Sequence, residues 1–263
     1  MSEKMYINLF KLDDMNIVVA GAGLIGSAII EGLAQAGAKV IIGEVDEKKG
    51  KKLESDLIKE NLNVIYRKLD ISDENSVNEF FDFCNKEINV IHGWVNTAYP
   101  RTENWGKKDI GEFIFFKKNI EMHLGGYYIT SIKIAEKMKS QGFGSIVNFG
   151  SIYGVNAPKF SIYKNSDLKM PIDYAVIKGG INMLTKYIST YYGKYNVRAN
   201  VLAPGGVFDN QPENFVKNYI ENVPLKRMAN VKDIVGPVIF LISKASSYIT
   251  GQIILVDGGW TSW

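Results

Sequence analysis

One cysteine, Cys84, and two histidines, His92 and His123, are all that 263 residues provide for cross-linking or soft metal ligation. An intrachain disulfide is excluded, and no Cys/His spacing suits zinc, so no metal and a reducing, cytoplasmic setting are expected. An excess of one charge sign is also missing. Lys and Arg total 31 against 28 Asp and Glu, a net charge of +3, which leaves no electrostatic footprint for nucleic acid. The longest uncharged apolar-leaning run, Ile17 to Ile30, holds 14 residues, three of them glycine, short of the roughly 18 to 20 that a membrane span needs. Residues 1–14 carry Glu3, Lys4 and Lys11 with neither a basic nor an unbroken apolar stretch, so no secretory signal is expected.

What is present is ordinary globular material: 46% hydrophobic residues, 22% charged, and 25 glycines against 7 prolines. One domain over residues 1–263, with 1–14 as a lead-in, is the expectation for this length. An apolar run Asn16–Ala20 is followed by a glycine-rich turn and a helical pattern from Leu24 to Ala36, stopped by Gly37. A second run, Lys39–Ile42, leads into a charged amphipathic stretch, and a third, Val64–Tyr66, precedes Ser72, read as the N-cap of a helix over Asp73–Glu87. Strands are predicted at Asn89–Val95, Ser145–Phe149, Val197–Leu202 and Gln252–Val256. Helices are predicted over Phe113–Lys139, Tyr174–Tyr192 and Val231–Ser243. Seven short, almost wholly apolar strands alternating with helices imply a parallel sheet covered on both faces, a doubly wound α/β Rossmann fold. Residues 154–172 form the one long stretch without periodicity, a length that in compact domains is usually functional or mobile.

Two features bear on chemistry. Gly21-Ala-Gly23-Leu-Ile-Gly26 leaves the first strand and opens a helix, where glycines let the backbone approach a pyrophosphate and helix N–H groups face the anion. Glu44 follows Gly26 by 18 residues, near the spacing of a carboxylate that holds ribose hydroxyls. This favours NAD over NADP, with Asp46 the alternative ribose ligand and Lys48 and Lys49 close by. The second feature is Tyr174-Ala-Val-Ile-Lys178: of fourteen tyrosines only Tyr174 has a lysine four residues on.

By that pair the chain resembles the short-chain dehydrogenase/reductase family. Beside it stand Asn148-Phe-Gly-Ser151, Asp70-Ile71, Asn96-Thr-Ala98, Ala203-Pro-Gly-Gly206 and the ending Tyr248-Ile-Thr-Gly-Gln252 to Val256-Asp-Gly-Gly259. The resemblance implies a catalytic set of Ser151, Tyr174 and Lys178. It places Gly21, Gly23, Ile25 and Gly26 at the cofactor phosphates, Asp70 and Ile71 at adenine, and Asn96 and Ala98 along the strand edge. Pro204, Gly205, Gly206 and Val207 would close over the nicotinamide, with Lys178 also on its ribose. Physically, an i, i+4 spacing puts Tyr174 and Lys178 on one helix face. A nearby ammonium is expected to lower the phenol pKa, so that Tyr174 exchanges a proton with a substrate alcohol or carbonyl. Ser151 would hold the substrate oxygen.

Three departures from the family pattern stand out. Ala20 and a shortened glycine turn replace the usual Thr-Gly-x-x-x-Gly-x-Gly. His123 occupies the place of an Asn that supports a proton-relay water, and reads either as its replacement or as a packed core histidine; Asn119 lies one helical turn earlier. Ser151 and Tyr174 are 23 residues apart, wider than is usual, which places an insertion within 154–172 at the substrate mouth. Its content, with Ala98-Tyr-Pro-Arg101, resembles the subgroup associated with flagellin or surface-polysaccharide sugar modification. Tyr99, Arg101, Tyr163 and Lys164 are the candidate contacts to a polar sugar, although Arg101 and Lys164 read equally as solvated loop charges.

The reaction expected is interconversion of a secondary alcohol and a ketone on a sugar or sugar-phosphate-like metabolite. A dehydratase or epimerase that retains NAD would need Glu103, Glu121 or His123 as an added base. A catalytically silent nucleotide-binding regulator would not need Ser151 opposite Tyr174. The resemblance further implies a homotetramer formed through the two long helices, and the two tryptophans at 260 and 263 make a covered C-terminal end the expectation.

Overall fold

The computed structural model describes residues 6–263; Met1 to Met5 of the lead-in, with Glu3 and Lys4, lie outside them. The sheet contains seven strands: β1 (Asn16–Ala20), β2 (Lys39–Glu44), β3 (Val64–Lys68), β4 (Gly93–Asn96), β5 (Gly144–Phe149), β6 (Val197–Pro204) and β7 (Ile253–Val256). They lie in the order β3-β2-β1-β4-β5-β6-β7. Every pairing is parallel, with Val18 opposite Ile41 on one side and Trp94 on the other. The chain reverses its direction of winding between β1 and β4, and a crevice opens beyond the carboxyl ends of those strands.

Alternation along the strands builds two cores. On β1, Ile17 and Val19 face α1 (Leu24–Gln35) and α8 (Lys232–Ile242), packing with Ile29, Leu33, Val238 and Leu241. Val18 and Ala20 face the other side, where α3 (Glu74–Glu87), α5 (Gly126–Gln141) and α6 (Ile172–Tyr192) bury Phe80, Trp94, Ile134 and Ile181. Both faces of the central strands are therefore apolar, as a parallel sheet between helix layers requires, while the edge strand β3 ends in exposed Arg67 and Lys68. A third, smaller cluster joins Ile152, Tyr153 and Ile162 to Phe215 and Tyr219 of α7 (Glu213–Ile220) and to Trp260. Among the described residues no helix is long and apolar enough to cross a membrane.

The element boundaries show where side chains overrule periodicity. The helix after β3 is capped by Asp73, which accepts from Asn75 N, while Ser72 instead donates its hydroxyl to Asp70 at 2.6 Å. Residues 89–92 do not extend β4 because the Gln141 amide takes up Ile91 N and Ile91 O, each at 2.9 Å. The predicted helix over Phe113–Lys139 is three pieces: α4 (Phe113–Asn119), one π-helical turn (Ile120–Gly125) and α5. The same chain passes directly over Ile71, where a Cβ on Gly126 would stand 2.8 Å from the Ile71 side chain, so only glycine permits that approach. Residues 154–172 contain a short 3₁₀ turn, Phe160–Tyr163, and dock on α7, an element that periodicity left unassigned; α2 (Glu47–Lys59) completes the fold.

Trp94 is the largest fully buried side chain, stacked on Phe81 at 5.5 Å and edge-on to Phe80, and its indole N–H has no partner among the described residues. Trp94→Ala is expected to cost about 3–5 kcal/mol in urea denaturation. Trp94→Phe should cost clearly less, because it also removes an unpaired buried donor.

Candidate active site

A cleft of about 760 Å³ runs across the carboxyl ends of the strands. At one end the chain leaves β1 through Gly21, whose φ of +91° is in the glycine region and whose N–H donates to Gly43 O at 2.7 Å. A Cβ there would stand 2.7 Å from Ala98 N, and one on Gly26 would collide with the Gly21 carbonyl. Gly23, by contrast, faces open space and starts α1 with no side-chain cap. The first-turn N–H groups of α1 therefore point into the cleft, which is how a helix N-terminus receives a phosphate.

Of the residues singled out by sequence for this end, Gly21, Gly23, Ile25, Gly26, Glu44, Asp70, Ile71 and Ala98 line the cleft. Glu44 is buried, and its carboxylate accepts from Ala22 N at 2.6 Å and Asp46 N at 3.1 Å. Asp46 is the N-cap of α2, accepting from Lys49 N. Asp70 accepts both the N–H and the hydroxyl of Ser72. Asn96 is fully buried outside the cleft lining: its amide accepts from Ala98 N at 3.2 Å and donates to Thr130 at 3.2 Å, and its carbonyl accepts from the Tyr127 hydroxyl. Its side chain is spent on shaping the turn after β4.

At the other end Ser151, Tyr174, Lys178 and Pro204 to Val207 line the same cleft. Tyr174 and Lys178 are one turn apart on α6. Lys178 is buried and donates to Phe149 O at 2.8 Å, with its nitrogen 5.4–5.8 Å from the ring centres of Tyr99, Tyr127 and Tyr174. No carboxylate pairs with it among the described residues, and burial pushes its pKa down to about 7. Tyr174 is pushed up from the ordinary phenol value by burial, opposed by the neighbouring Ser151 hydroxyl. The expected lowering by Lys178 is thus reversed in direction: enclosure between Tyr99, Trp105 and Tyr153 penalises the phenolate more than its surroundings favour it.

His123 sits in the π-helical turn with its ring 5.1 Å from Tyr99 and 5.4 Å from Tyr127, fully buried, and neither nitrogen has a partner among the described residues. Burial and the neighbouring Lys178 charge hold it neutral. Asn119 differs: its amide accepts from Thr102 N at 2.9 Å and donates to buried Asp173 at 2.7 Å, which ties the loop after β4 to the start of α6.

Around the mouth, Tyr99, Arg101 and Tyr163 line the cleft, with the Arg101 guanidinium 5.1 Å over the Tyr99 ring and the Tyr163 hydroxyl donating to Tyr153 at 3.1 Å. Lys164 does not line it. Its carbonyl is turned to Asn218 of α7, and Lys169 brings the insertion's cation to the cleft instead. Sequence reasoning missed Trp105, Tyr153, Met170, Phe215 and Tyr219. Only Tyr153, two residues beyond Ser151, carried a local signal; the others arrive from loops and α7. The Tyr219 hydroxyl accepts from Gly206 N, and its ring stacks on Trp260 at 4.6 Å. Glu103 and Glu121 are not among the lining residues.

An open parallel sheet with a glycine turn at its switch point is a Rossmann-type nucleotide-binding fold. The chain belongs to the short-chain dehydrogenase/reductase family, oxidoreductases that act on CH–OH groups with nicotinamide cofactors: a family model described as enoyl-(acyl carrier protein) reductase matches residues 19–261. It is 35% identical over 253 residues to the post-translational flagellin modification protein A of Campylobacter coli, covering 95% of this chain and 99% of that one. A short-chain dehydrogenase from Leptospira borgpetersenii with bound NAD+ superposes with a TM-score of 0.82 at 32% identity, over 96% of this chain and 95% of the other. Gluconate 5-dehydrogenase from Burkholderia cenocepacia, in complex with NADP and tartrate, gives 0.87 at 27% identity over 98% and 99%. The glycine cradle, the uncapped α1 N-terminus and the volume of the cleft fit a dinucleotide.

An uncompensated buried ammonium should be visible in stability. The ordinary lysine pKa is 10.5 and that of Lys178 is about 7, so between these values the unfolded chain holds a proton that the folded one lacks. Stability gained from raising pH through that window should be about 1 kcal/mol per pH unit greater in the wild type than in Lys178→Met. Urea denaturation of both proteins at pH 7.5 to 9.5 measures the difference.

Proposed function

We propose that this protein is an NAD-dependent oxidoreductase that interconverts a secondary alcohol and a ketone on a polar metabolite of the sugar or sugar-phosphate kind. One observation carries the reading: Ser151, Tyr174 and Lys178, the last two one helix turn apart, converge on the wall of the same cleft that the glycine turn opens. When bound, the nicotinamide exchanges a hydride with the substrate carbon.

The chain's own part is to place the oxygen and move the proton. Ser151 holds the substrate oxygen against Tyr174, and that hydrogen bond strengthens as negative charge develops. Tyr174, with its pKa raised, is protonated at neutral pH and gives its proton to the oxygen as a ketone is reduced; in alcohol oxidation it must first lose that proton. Lys178, whose pKa burial holds at about 7, supplies positive charge beside it on the acid side of that value and a donor for the cofactor ribose. His123, buried beside Tyr99 and Tyr127 with both ring nitrogens unpartnered among the described residues, is suited to extend a proton path from Lys178, whereas the Asn119 amide is already engaged.

Several features support the narrower choices. For NAD, a buried carboxylate at the end of β2, Glu44, would repel a 2′-phosphate. Pro204 to Val207 would close over the nicotinamide, and Asp70 and Ile71 would meet the adenine; all six line the cleft. Tyr99, Arg101, Tyr163 and Lys169 give the mouth hydroxyls and cations for a polyhydroxylated or anionic substrate, in keeping with the name of the flagellin-modification relative. Exposed apolar residues on the long helices, among them Tyr128, Val176, Met183 and Tyr187, are the surface a homotetramer would cover. The lone buried Cys84 is at home in a cytoplasmic protein.

Initial rates at the reduced-nicotinamide band, with sugar phosphates, nucleotide sugars and polyols and with NAD and NADP, test the assignment. Tyr174→Phe is expected to lose at least 100-fold in turnover while cofactor affinity stays within a few-fold, and unchanged turnover would remove Tyr174 from the chemistry. Alcohol oxidation should climb with pH from 7 to 9, because it needs the phenolate, whereas ketone reduction should not; equal pH dependence in both directions contradicts the role given to Tyr174. Returning His123→Asn should keep turnover, and His123→Leu should lose it.

A further inference from the structure

The glycine turn is one residue shorter than the family pattern, and its middle amide, Ala22 N–H, is at a fully buried residue. Its partner is a side chain: the Glu44 carboxylate, at 2.6 Å. A buried N–H left without a partner costs about 1–3 kcal/mol, and a carboxylate acceptor makes a hydrogen bond roughly twice as strong as a neutral one. The second oxygen of Glu44 accepts from Asp46 N at 3.1 Å, so the carboxylate is fixed from both sides. No lysine or arginine pairs with it among the described residues; backbone dipoles alone balance its charge. Yet Glu44 still lines the cleft, and two of a carboxylate's roughly four acceptor positions remain free.

We infer that Glu44 is a positioning residue: it ties the shortened glycine turn into its anion-binding shape, and the same carboxylate faces the cofactor's ribose. Selection of NAD is then only half of its work. The inference rests on the reading of this cleft as a dinucleotide site. It explains the choice of glutamate, because an aspartate would end one C–C bond, about 1.5 Å, short and could not span from the end of β2 to Ala22 while holding Asp46 N. It also couples two contacts that are otherwise independent, since anything that draws the carboxylate toward the ribose acts on the turn beneath the pyrophosphate.

Two variants separate positioning from selection. In Glu44→Asp the charge remains and the reach is lost; in Glu44→Gln the amide oxygen can still accept from Ala22 N, while the charge and the acceptor for Asp46 N, outside the glycine turn, are lost. Hydrogen exchange over residues 21–26 of the cofactor-free protein should be at least tenfold faster in Glu44→Asp and within threefold of wild type in Glu44→Gln. Dissociation constants for NADH and NADPH, from fluorescence, should both weaken at least tenfold in Glu44→Asp with their ratio within threefold of wild type. In Glu44→Gln that ratio should shift at least tenfold toward NADPH. A Glu44→Asp variant with wild-type exchange and wild-type NADH affinity overturns the inference and leaves a selector only. Should that variant not fold, the wild-type Ala22 amide decides, because unprotected exchange there excludes the hydrogen bond on which everything rests. If the wild type binds neither nucleotide, the dinucleotide reading fails, and the exchange data still report whether Glu44 holds the turn.

Discussion

The ammonium of Lys178 is enclosed by the protein with no anion beside it, and much of the active end of the molecule is arranged around that fact. One carbonyl, Phe149 O, and the faces of three tyrosine rings are what it has in place of water. Each is a weak substitute for hydration. The carbonyl must be held at the end of β5, the rings must come from the loop after β4, from α5 and from α6 itself, and all must stay fixed. A parallel sheet packed on both faces supplies that fixity, since its strand ends move little and its helices are pinned by two separate cores. The site is thus costly to fold and cheap to operate: Lys178 is buried and Tyr174 is held on the cleft wall before any ligand enters.

The glycine turn solves a related problem at the opposite end of the cleft. There the requirement is a concavity of N–H groups aimed at an anion, and the chain meets it by bringing Gly21 against Ala98 and Gly26 against the Gly21 carbonyl, contacts that no side chain could survive. The loop after β4 serves both ends. Ala98 walls the turn, and a few residues on, Tyr99 and Trp105 wall Tyr174. Asn119 and Asp173 fasten this loop to α6, so the phosphate end and the catalytic end are joined through one stretch of chain.

What could be read from sequence is what depends on neighbours in sequence. Strand and helix alternate in periods of two and 3.6, the glycine turn occupies six consecutive positions, and Tyr174 and Lys178 share a helix face because they are four apart. These are local rules, and the sheet obeys them. The π-helical turn at Ile120–Gly125 interrupts a continuous helical period, and it leads into Gly126, which packs on Ile71, far away in sequence. Asn96 was expected in the cleft and is instead consumed by Ala98 and Thr130, and Lys164 yields its place to Lys169 because α7 captures the insertion's carbonyls through Asn218. Ser72 lost the helix cap to its neighbour once Asp70 offered it a better acceptor. The pKa direction of Tyr174 lies outside sequence for the same reason: a nearby cation can be read from spacing, and the thickness of protein around a phenol cannot.

The substrate side has an interior of its own. Ile152, Tyr153, Ile162, Phe215, Tyr219 and Trp260 pack on one another rather than on the sheet, and amides of α7 stitch the insertion to them. Tyr153, which walls Tyr174, and Tyr219, which accepts from Gly206 N, key this annex to the site, whereas Ile162 and Phe215 pack only within it and are free to change. Such a chain can explore new ligands by drift in the annex alone, keeping an inherited engine while its intake is rebuilt.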